Sequence, residues 1–285
     1  MPIELSDLRR LAESAIAEDR AVDDLTTVAL VPGDQMGRAV ITAKAAGVIA
    51  GLPLCQAVFD VIDQSITFRS LVEEGSPVAP YARLALVEGR IGSILRAERV
   101  ALNFLQHLCG VASATATVVE AIAGSRCRVR DTRKTLPGLR AIEKYAVRCG
   151  GGDNHRFDLA DGVLVKDNHL AALHARGLAL ADAVALLRRA DAPRIIQIEV
   201  TTVQEVAEAL DAGADELLLD NMAVESMREA VGLAAVFAPR RVIEASGGIV
   251  AKNAGEVAET GVDFISVGAI THSAAAMDLS LELET

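Results

Sequence analysis

Six short apolar runs from about residue 126 onward each stop at residues able to do chemistry. The first ends in Asp131-Thr132-Arg133-Lys134, the second in Lys166-Asp167-Asn168-His169, the third in Glu199. The fourth ends in Asp220-Asn221, the fifth in Glu244-Ala245-Ser246-Gly247-Gly248, the sixth in Ser266-Val267-Gly268-Ala269. A lone Asp in such a place is most often a helix cap or a turn residue. Recurrence at six successive run ends points instead to a site. The glycines suggest phosphate: around Ser246-Gly247-Gly248, and at Gly268-Ala269 before Thr271-His272-Ser273, backbone N–H groups can approach an anion. Tight turns between strand and helix are the plainer reading of the same glycines. Cations form a second group. Between Arg126 and Lys166 there are ten Lys or Arg against five acids, a local excess of +5 in a chain of formal charge −11. Arg forks bind carboxylates in bidentate fashion and Lys binds phosphate as a point charge. Arg140, Lys144 and Arg148, four apart, read as a solvated helix face, whereas Arg133, Lys134 and Lys166 sit at run ends. His155-Arg156 follows the flexible Gly150-Gly151-Gly152. Glu199 and Asp220 remain as a carboxylate pair. They suit a general acid and base, or Mg²⁺ with a pyrophosphate completing its shell, or plain ion pairs with nearby cations.

Residues placed this way need strands to carry them. The runs at 127–131, 162–166, 195–199, 216–220, 242–245 and 264–267 alternate with helical stretches such as 203–212, 223–237 and 251–260. That rhythm predicts a parallel sheet. Six strands suit a small or incomplete α/β barrel, whose C-terminal strand ends ring the site and whose last two loops hold phosphate. A doubly wound sheet is the alternative, but no Gly-x-Gly-x-x-Gly opens the first unit. The chain before residue 112 reads as an α+β module. An amphipathic helix is expected over 1–20, with Leu5, Leu8, Leu11 and Ile16 on one side. Strands are expected at 37–44, 66–72 and 84–87, with a turn at 74–78. A helix over 92–109 carries Arg96, Arg99, Asn103 and Gln106 as one polar stripe on an otherwise apolar surface, so it should be buried in a core or a subunit interface. The expected organisation is an N-terminal α+β module (1–112), an α/β barrel (113–272) and a tail (273–285) that rejoins the first module.

Composition sets outer limits. Of 285 residues, 51% are hydrophobic and 3% aromatic, with no Trp, so Ala, Val, Leu and Ile must build the core, as suits a parallel sheet under helices. The net charge argues against a nucleic-acid or membrane-surface partner. The acidic first twenty residues do not resemble a targeting peptide, and no uncharged apolar run is expected to approach membrane-spanning length. Cys55, Cys109, Cys127 and Cys149 show no C-x-x-C pair and read as reduced thiols of a cytoplasmic protein.

Asp131-Thr132-Arg133-Lys134-Thr135-Leu136-Pro137-Gly138-Leu139-Arg140, then Glu143-Lys144-Tyr145-Ala146-Val147-Arg148, Gly150-Gly151-Gly152 and Asn154-His155-Arg156, strongly resemble the quinolinate phosphoribosyltransferase family. Lys166-Asp167-Asn168-His169, Leu219-Asp220-Asn221, Glu244-Ala245-Ser246-Gly247-Gly248-Ile249 and Ser266-Val267-Gly268-Ala269 continue the match in order, and Asp24-Leu25-Thr26-Thr27 fits near the start. The resemblance implies the two-module subunit, a homodimer with shared active sites, and a Mg²⁺-dependent reaction; the sequence leaves dimer and hexamer as open alternatives. In that reaction quinolinate and phosphoribosyl pyrophosphate give nicotinate mononucleotide, pyrophosphate and CO₂. By similarity, Arg133, His155, Arg156 and Lys166 line the quinolinate pocket, and Arg99 reaches in from the partner subunit. Lys134, Glu199, Asp220, Ser246, Gly247 and Gly268 meet the phosphoribosyl side, and Thr132, Gly248, Ala269 and Ile270 complete the substrate-binding set. Lys134, Lys166, Glu199 and Asp220 are the expected catalytic residues, with Glu199 and Asp220 as metal ligands. Arg96, His107, His169 and His272 receive no role. A relative associated with molybdate transport, a nicotinate phosphoribosyltransferase, an aldolase with Lys166 as its Schiff base and a non-catalytic phosphate sensor are the competing readings.

Overall fold

The computed structural model describes residues 4–190, 195–237 and 239–284. In chain order the elements are α1 (Leu5–Asp19), α2 (Leu25–Leu30), β1 (Met36–Ala43), β2 (Gly47–Val48), α3 (Leu52–Ile62), β3 (Thr67–Ser70), β4 (Pro77–Val78), β5 (Arg83–Arg90) and α4 (Ile91–Ala121). There follow β6 (Arg128–Arg130), α5 (Arg140–Cys149), β7 (Val163–Val165), α6 (Asp167–His174), α7 (Leu180–Arg189), β8 (Ile196–Val200) and α8 (Val203–Asp211). The last are β9 (Glu216–Asp220), α9 (Val224–Ala235), β10 (Val242–Ser246), α10 (Ala251–Ala258), β11 (Phe264–Ser266), α11 (Ala269–His272) and β12 (Leu279–Glu284). Residues 1–3 of the expected first helix and Thr285 of the tail lie outside the described residues.

Two compact units divide the chain, one of residues 1–116, 135–151 and 270–285, the other of residues 117–134 and 152–269. The segment 135–151, placed by sequence in the barrel, clusters with the first unit. The reason lies in side-chain ties. Tyr145 Oη donates to Glu74 Oε2 at 2.7 Å, and His107 Nε2 meets Glu143 Oε1 at 2.9 Å. Both ties bind α5 to the first unit's own segments.

The first unit is built on an antiparallel sheet of order β12-β1-β5-β3. Ala39, Ile41 and Ala43 of β1 are buried, while Arg38 is partly exposed between its cross-strand neighbours Glu88 and Glu284. Opposite charges directly across strands stabilise such a pairing modestly. Leu8, Ala12 and Ile16 of α1 recur at a helical period and are buried, the face of an amphipathic helix packing on a core. Glu74 accepts from the backbone N–H of Gly51 and Leu52, both at 2.8 Å, and so caps α3 with a carboxylate.

The expected helix over 92–109 is longer. It runs 31 residues, because Gly110 does not end it. A Cβ on Gly110 would lie 2.2 Å from the Ala275 carbonyl oxygen, so glycine serves close packing here. By length and composition α4 is long and apolar enough to cross a membrane, which corrects the expectation that no such run exists; half of its most apolar window is buried within the fold. The segment 74–78, expected as a turn, contributes β4, which pairs with β2.

The second unit is a parallel sheet of order β6-β11-β10-β9-β8-β7. Its two ends, β6 and β7, are not paired with each other, so this is an α/β barrel left open at one seam. Alternation decides what points where. In β9, Leu217 and Leu219 are fully buried, while Glu216, Leu218 and Asp220 take the other face. Register then aligns Ser246 with Asp220 on one side and Ser266 on the other, and Ser266 with Arg130. The strand ends thus bring polar residues to one level.

All four cysteines are free thiols. Burial pushes the Cys109 and Cys127 thiols up to about 12, so neither forms an appreciable thiolate at neutral pH. Gly110→Ala is predicted to lower stability by about 1–3 kcal/mol through overpacking against Ala275. The melting midpoint followed by circular dichroism checks this; an unchanged midpoint would show that α4 and the 275 segment separate easily.

Candidate active site

A cavity of about 300 Å³ opens in the second unit, lined by Thr132, Arg133, Lys134, His155, Arg156, Leu164, Lys166, Glu199, Leu218, Asp220, Glu244, Ser246 and Ser266. Nine of the predicted site residues therefore meet in one place. Each arrives by a separate local device. Thr132 Oγ1 accepts from the Lys134 backbone N–H at 3.0 Å, folding the loop after β6 so that 132–134 face the cavity. Lys166 ends β7 and starts α6; its backbone N–H donates to His169 Nδ1 at 3.0 Å, which gives His169 a role as a helix cap. Glu199 and Asp220 come from β8 and β9 on the inward period of two.

His155 and Arg156 lie on a segment without helix or strand. It is held by Asp131, fully buried, which accepts from Asn154 Nδ2 at 2.7 Å and from the His155 backbone N–H at 2.9 Å. Asp153 forms a parallel bridge with Arg130, so this segment covers the unpaired edge of β6. Covering an edge is the usual way to satisfy its free backbone groups.

The electrostatics are those of a site waiting for an anion. Burial, and after it the nearby Arg133 guanidinium, pushes the Arg156 pKa down from its ordinary value. Arg133 Nε is buried and has no hydrogen-bond partner. An unmatched buried donor costs free energy until an acceptor arrives. Lys166 Nζ lies 2.5 Å from Glu199 Oε2, so one cation is already matched. Below the cavity, Arg130 Nη1 binds Glu244 Oε2 at 2.7 Å and approaches Glu216 Oε2 at 3.5 Å. Burial pushes the Glu216 carboxyl up, with Arg130 acting against that shift.

Ser246, Gly247 and Gly248 lead from β10 towards α10. Gly247 has φ +93°, and a Cβ there would lie 2.3 Å from Asn221 Oδ1. Asn221 itself holds φ +53°, unusual for a residue other than glycine, and donates Nδ2–H to Asp220 Oδ2 at 2.8 Å. Gly247 and Asn221 are therefore one packed pair that orients Asp220.

Other predicted residues fall elsewhere. Gly247, Gly248, Gly268 and Ala269 are outside the cavity lining. The helix after Gly268 is a single turn of 4 residues. Ile270 belongs to the first unit. Arg99 also lies in the first unit, in a recess with Asp19, Arg20, Asp24 and Arg96. Sequence reasoning gave no role to Asp131, Gln197 or Asn221, and none to Arg130 beyond its place in the cation count. Gln197 and Glu244 sit two residues upstream of Glu199 and Ser246, and that period of two was the available signal.

Two family models cover the chain: the N-terminal domain of quinolinate phosphoribosyl transferase matches residues 24–109, and its C-terminal domain matches residues 111–282. The chain belongs to the quinolinate phosphoribosyltransferase family. A probable nicotinate-nucleotide pyrophosphorylase (carboxylating) of Synechocystis is 42% identical over 94% of this chain and 90% of its own length. The Mycobacterium leprae nicotinate-nucleotide pyrophosphorylase (carboxylating) is 38% identical over 91% of each. Among solved structures, the Francisella tularensis nicotinate-nucleotide pyrophosphorylase superposes with a TM-score of 0.92 at 36% identity, covering 99% of this chain and 98% of that one. The α/β barrel with its α+β partner is thus the architecture of the quinolinate phosphoribosyltransferase family.

Gly247→Ala is predicted to weaken pyrophosphate binding about 100-fold by displacing Asn221 and with it Asp220. Titration calorimetry measures this, and undiminished affinity would separate the Gly247–Asn221 pair from anion binding.

Proposed function

We propose that this chain transfers the phosphoribosyl group of phosphoribosyl pyrophosphate to quinolinate with decarboxylation, giving nicotinate mononucleotide, pyrophosphate and CO₂. The observation that carries the reading is the pair of guanidiniums, Arg133 and Arg156, the first close enough to disfavour the charge of the second, with no carboxylate paired to either among the described residues. Quinolinate brings two adjacent carboxylates. Arg133 and Arg156 clamp them, while Leu164 and Leu218 offer the pyridine ring an apolar wall. A nicotinate site would need fewer cations.

In the reaction the pyridine nitrogen donates its lone pair to the ribosyl carbon, and the bond to pyrophosphate breaks with its electron pair leaving on oxygen. The transition state is oxocarbenium-like, as in glycosyl transfer. Glu199 and Asp220 face that developing positive charge, and Lys134 faces the negative charge on the departing pyrophosphate. The quaternised ring then accepts the electron pair of the carboxylate carbon bond, CO₂ leaves, and the ring carbon takes a proton. Lys166 orients the carboxylate that departs, and its contact with Glu199 places it where the two halves of the substrate meet.

Mg²⁺ is part of the proposal. Among the described residues no group of three or more His, Cys, Asp or Glu gathers for a metal. Two carboxylates in a cavity instead suit a hard cation that keeps waters and takes pyrophosphate oxygens. Glu199 and Asp220 would hold it, and it would supply charge neutralisation for the leaving group. We further propose a cytoplasmic homodimer in which Arg99 of one chain serves its partner's site.

The deciding assay supplies quinolinate, phosphoribosyl pyrophosphate and Mg²⁺ and follows nicotinate mononucleotide and CO₂, with nicotinate in parallel. Product from quinolinate and none from nicotinate is expected, and the reverse would overturn the reading. Lys166→Ala is expected to lower kcat by about 100-fold or more; full turnover would remove Lys166 from the mechanism.

A further inference from the structure

We infer that Gln197 and Glu244 are positioning residues which, through a one-way chain of hydrogen bonds, fix the ring of His155 and with it the backbone from which Arg156 reaches the ligand. The inference deepens the quinolinate reading and rests on it for the ligand's identity.

The direction of the chain follows from what each group can donate. Glu244 is fully buried and receives Arg130 Nη1 at 2.7 Å, Gln197 Nε2 at 3.0 Å and the Ser266 hydroxyl. A carboxylate beside a guanidinium accepts and does not donate. The NH₂ group of Gln197 must therefore face Glu244, which turns Gln197 Oε1 towards His155 Nε2 at 3.0 Å. An amide oxygen also only accepts, so the His155 proton is assigned to Nε2. On the other side of the ring, the Arg156 backbone N–H donates to His155 Nδ1 at 2.7 Å, which requires a lone pair there. Both ends demand the same tautomer. The carboxylate of Glu244, 3.5 Å from His155 Nε2, favours it too. Both ring nitrogens are thus engaged by the protein. His155 offers the cavity its ring.

The segment around His155 and Arg156 has no ladder of its own, so side chains must hold it. Asp131 ties it to the end of β6, and Arg156 Nη1 donates to the Gly162 carbonyl at 2.9 Å. The His155–Gln197–Glu244 chain is the tie to β8 and β10. Arg130 is fixed in turn by Glu244 and by the Phe264 ring, whose centroid lies 3.3 Å from its Cζ. Outer partners of this kind are known to tune a site without touching its ligand.

The test uses two variants of the full-length protein. Glu244→Gln keeps the shape but can present an amide NH₂ to Gln197, which releases the orientation of that side chain. Gln197→Met removes the link and fills the space. In ¹⁵N spectra of histidine-labelled protein, the His155 signals (identified by their loss in His155→Phe) should show a protonated Nε2 and an unprotonated Nδ1. In Glu244→Gln the two shifts should move towards each other. Both variants should raise the quinolinate KM about tenfold, the scale of one buried hydrogen bond, with the KM for phosphoribosyl pyrophosphate within about twofold. That second constant doubles as the check on folding. A wild-type His155 protonated on Nδ1, an unchanged quinolinate KM in Gln197→Met, or an equal rise in both constants would overturn the inference. If neither variant folds, the wild-type tautomer still decides. If the wild-type protein does not use quinolinate at all, the proposed function fails, and the ¹⁵N pattern still tests the chain on its own.

Discussion

A carboxylate removed from water is tolerated where donors converge on it, and Glu244 imposes that condition on the middle of the parallel sheet. Its donors come from Arg130 on β6, Gln197 on β8 and Ser266 on β11. An isolated buried charge would cost several kcal/mol or more, and removing one partner of a buried pair typically costs about 3–5 kcal/mol. The polar residues of these strands therefore form a mutually dependent set. A parallel barrel of this size would ordinarily fill its interior with branched apolar side chains. Here Leu164 and Leu218 stand in register beside Gln197, Glu199 and Glu244, so the cavity has an ionic floor with apolar side chains set into it.

The charge pattern above that floor is deliberately incomplete. Lys166 is matched by Glu199, and Arg130 by Glu244 and Glu216. Arg133 and Arg156 are left facing each other, one with a buried nitrogen lacking a partner. A protein that needed these cations for stability alone would have paired them, because removing unmatched charge is the cheaper solution. Two guanidiniums without a carboxylate partner suit a ligand that brings two negative charges. The same logic explains an acidic chain with a local cationic excess. The overall charge does not repel the ligand as long as the cations are gathered at the strand ends.

Much of this was legible in the sequence. All six parallel strands were expected within one or two residues of where they lie, because alternating strand and helix signals are strong and the strands end in polar residues. Lys166, Glu199 and Asp220 were placed at strand ends by the same reading. Three things were not legible. The helix expected to stop at residue 109 runs on through Gly110, and the backbone of residue 275, which makes glycine necessary there, is far away in sequence. The segment 135–151 followed the first barrel strand and so read as barrel, while its ties to Glu74 and His107 are long-range. The roles of Gln197 and Glu244 were hidden because an apolar run interrupted by one polar residue looks like an imperfect strand until the period of two is traced back from its end. Tracing that period from Glu199 and Ser246 would have found both.

The open seam of the barrel is what joins these observations. A closed eight-stranded ring satisfies every strand edge with another strand, and its loops then rise from the rim alone. Here the edge of β6 is satisfied by Asp153 and its neighbours instead of by a strand. The chain that covers the edge is thereby delivered beside the cavity, carrying His155 and Arg156 into its lining. That placement needs an irregular segment, and an irregular segment needs anchors that strands do not provide. Asp131 at the end of β6, and Gln197 and Glu244 reaching from β8 and β10, are those anchors. The missing strands, the buried carboxylates and the position of the ligand-facing arginine are in this sense one structural decision.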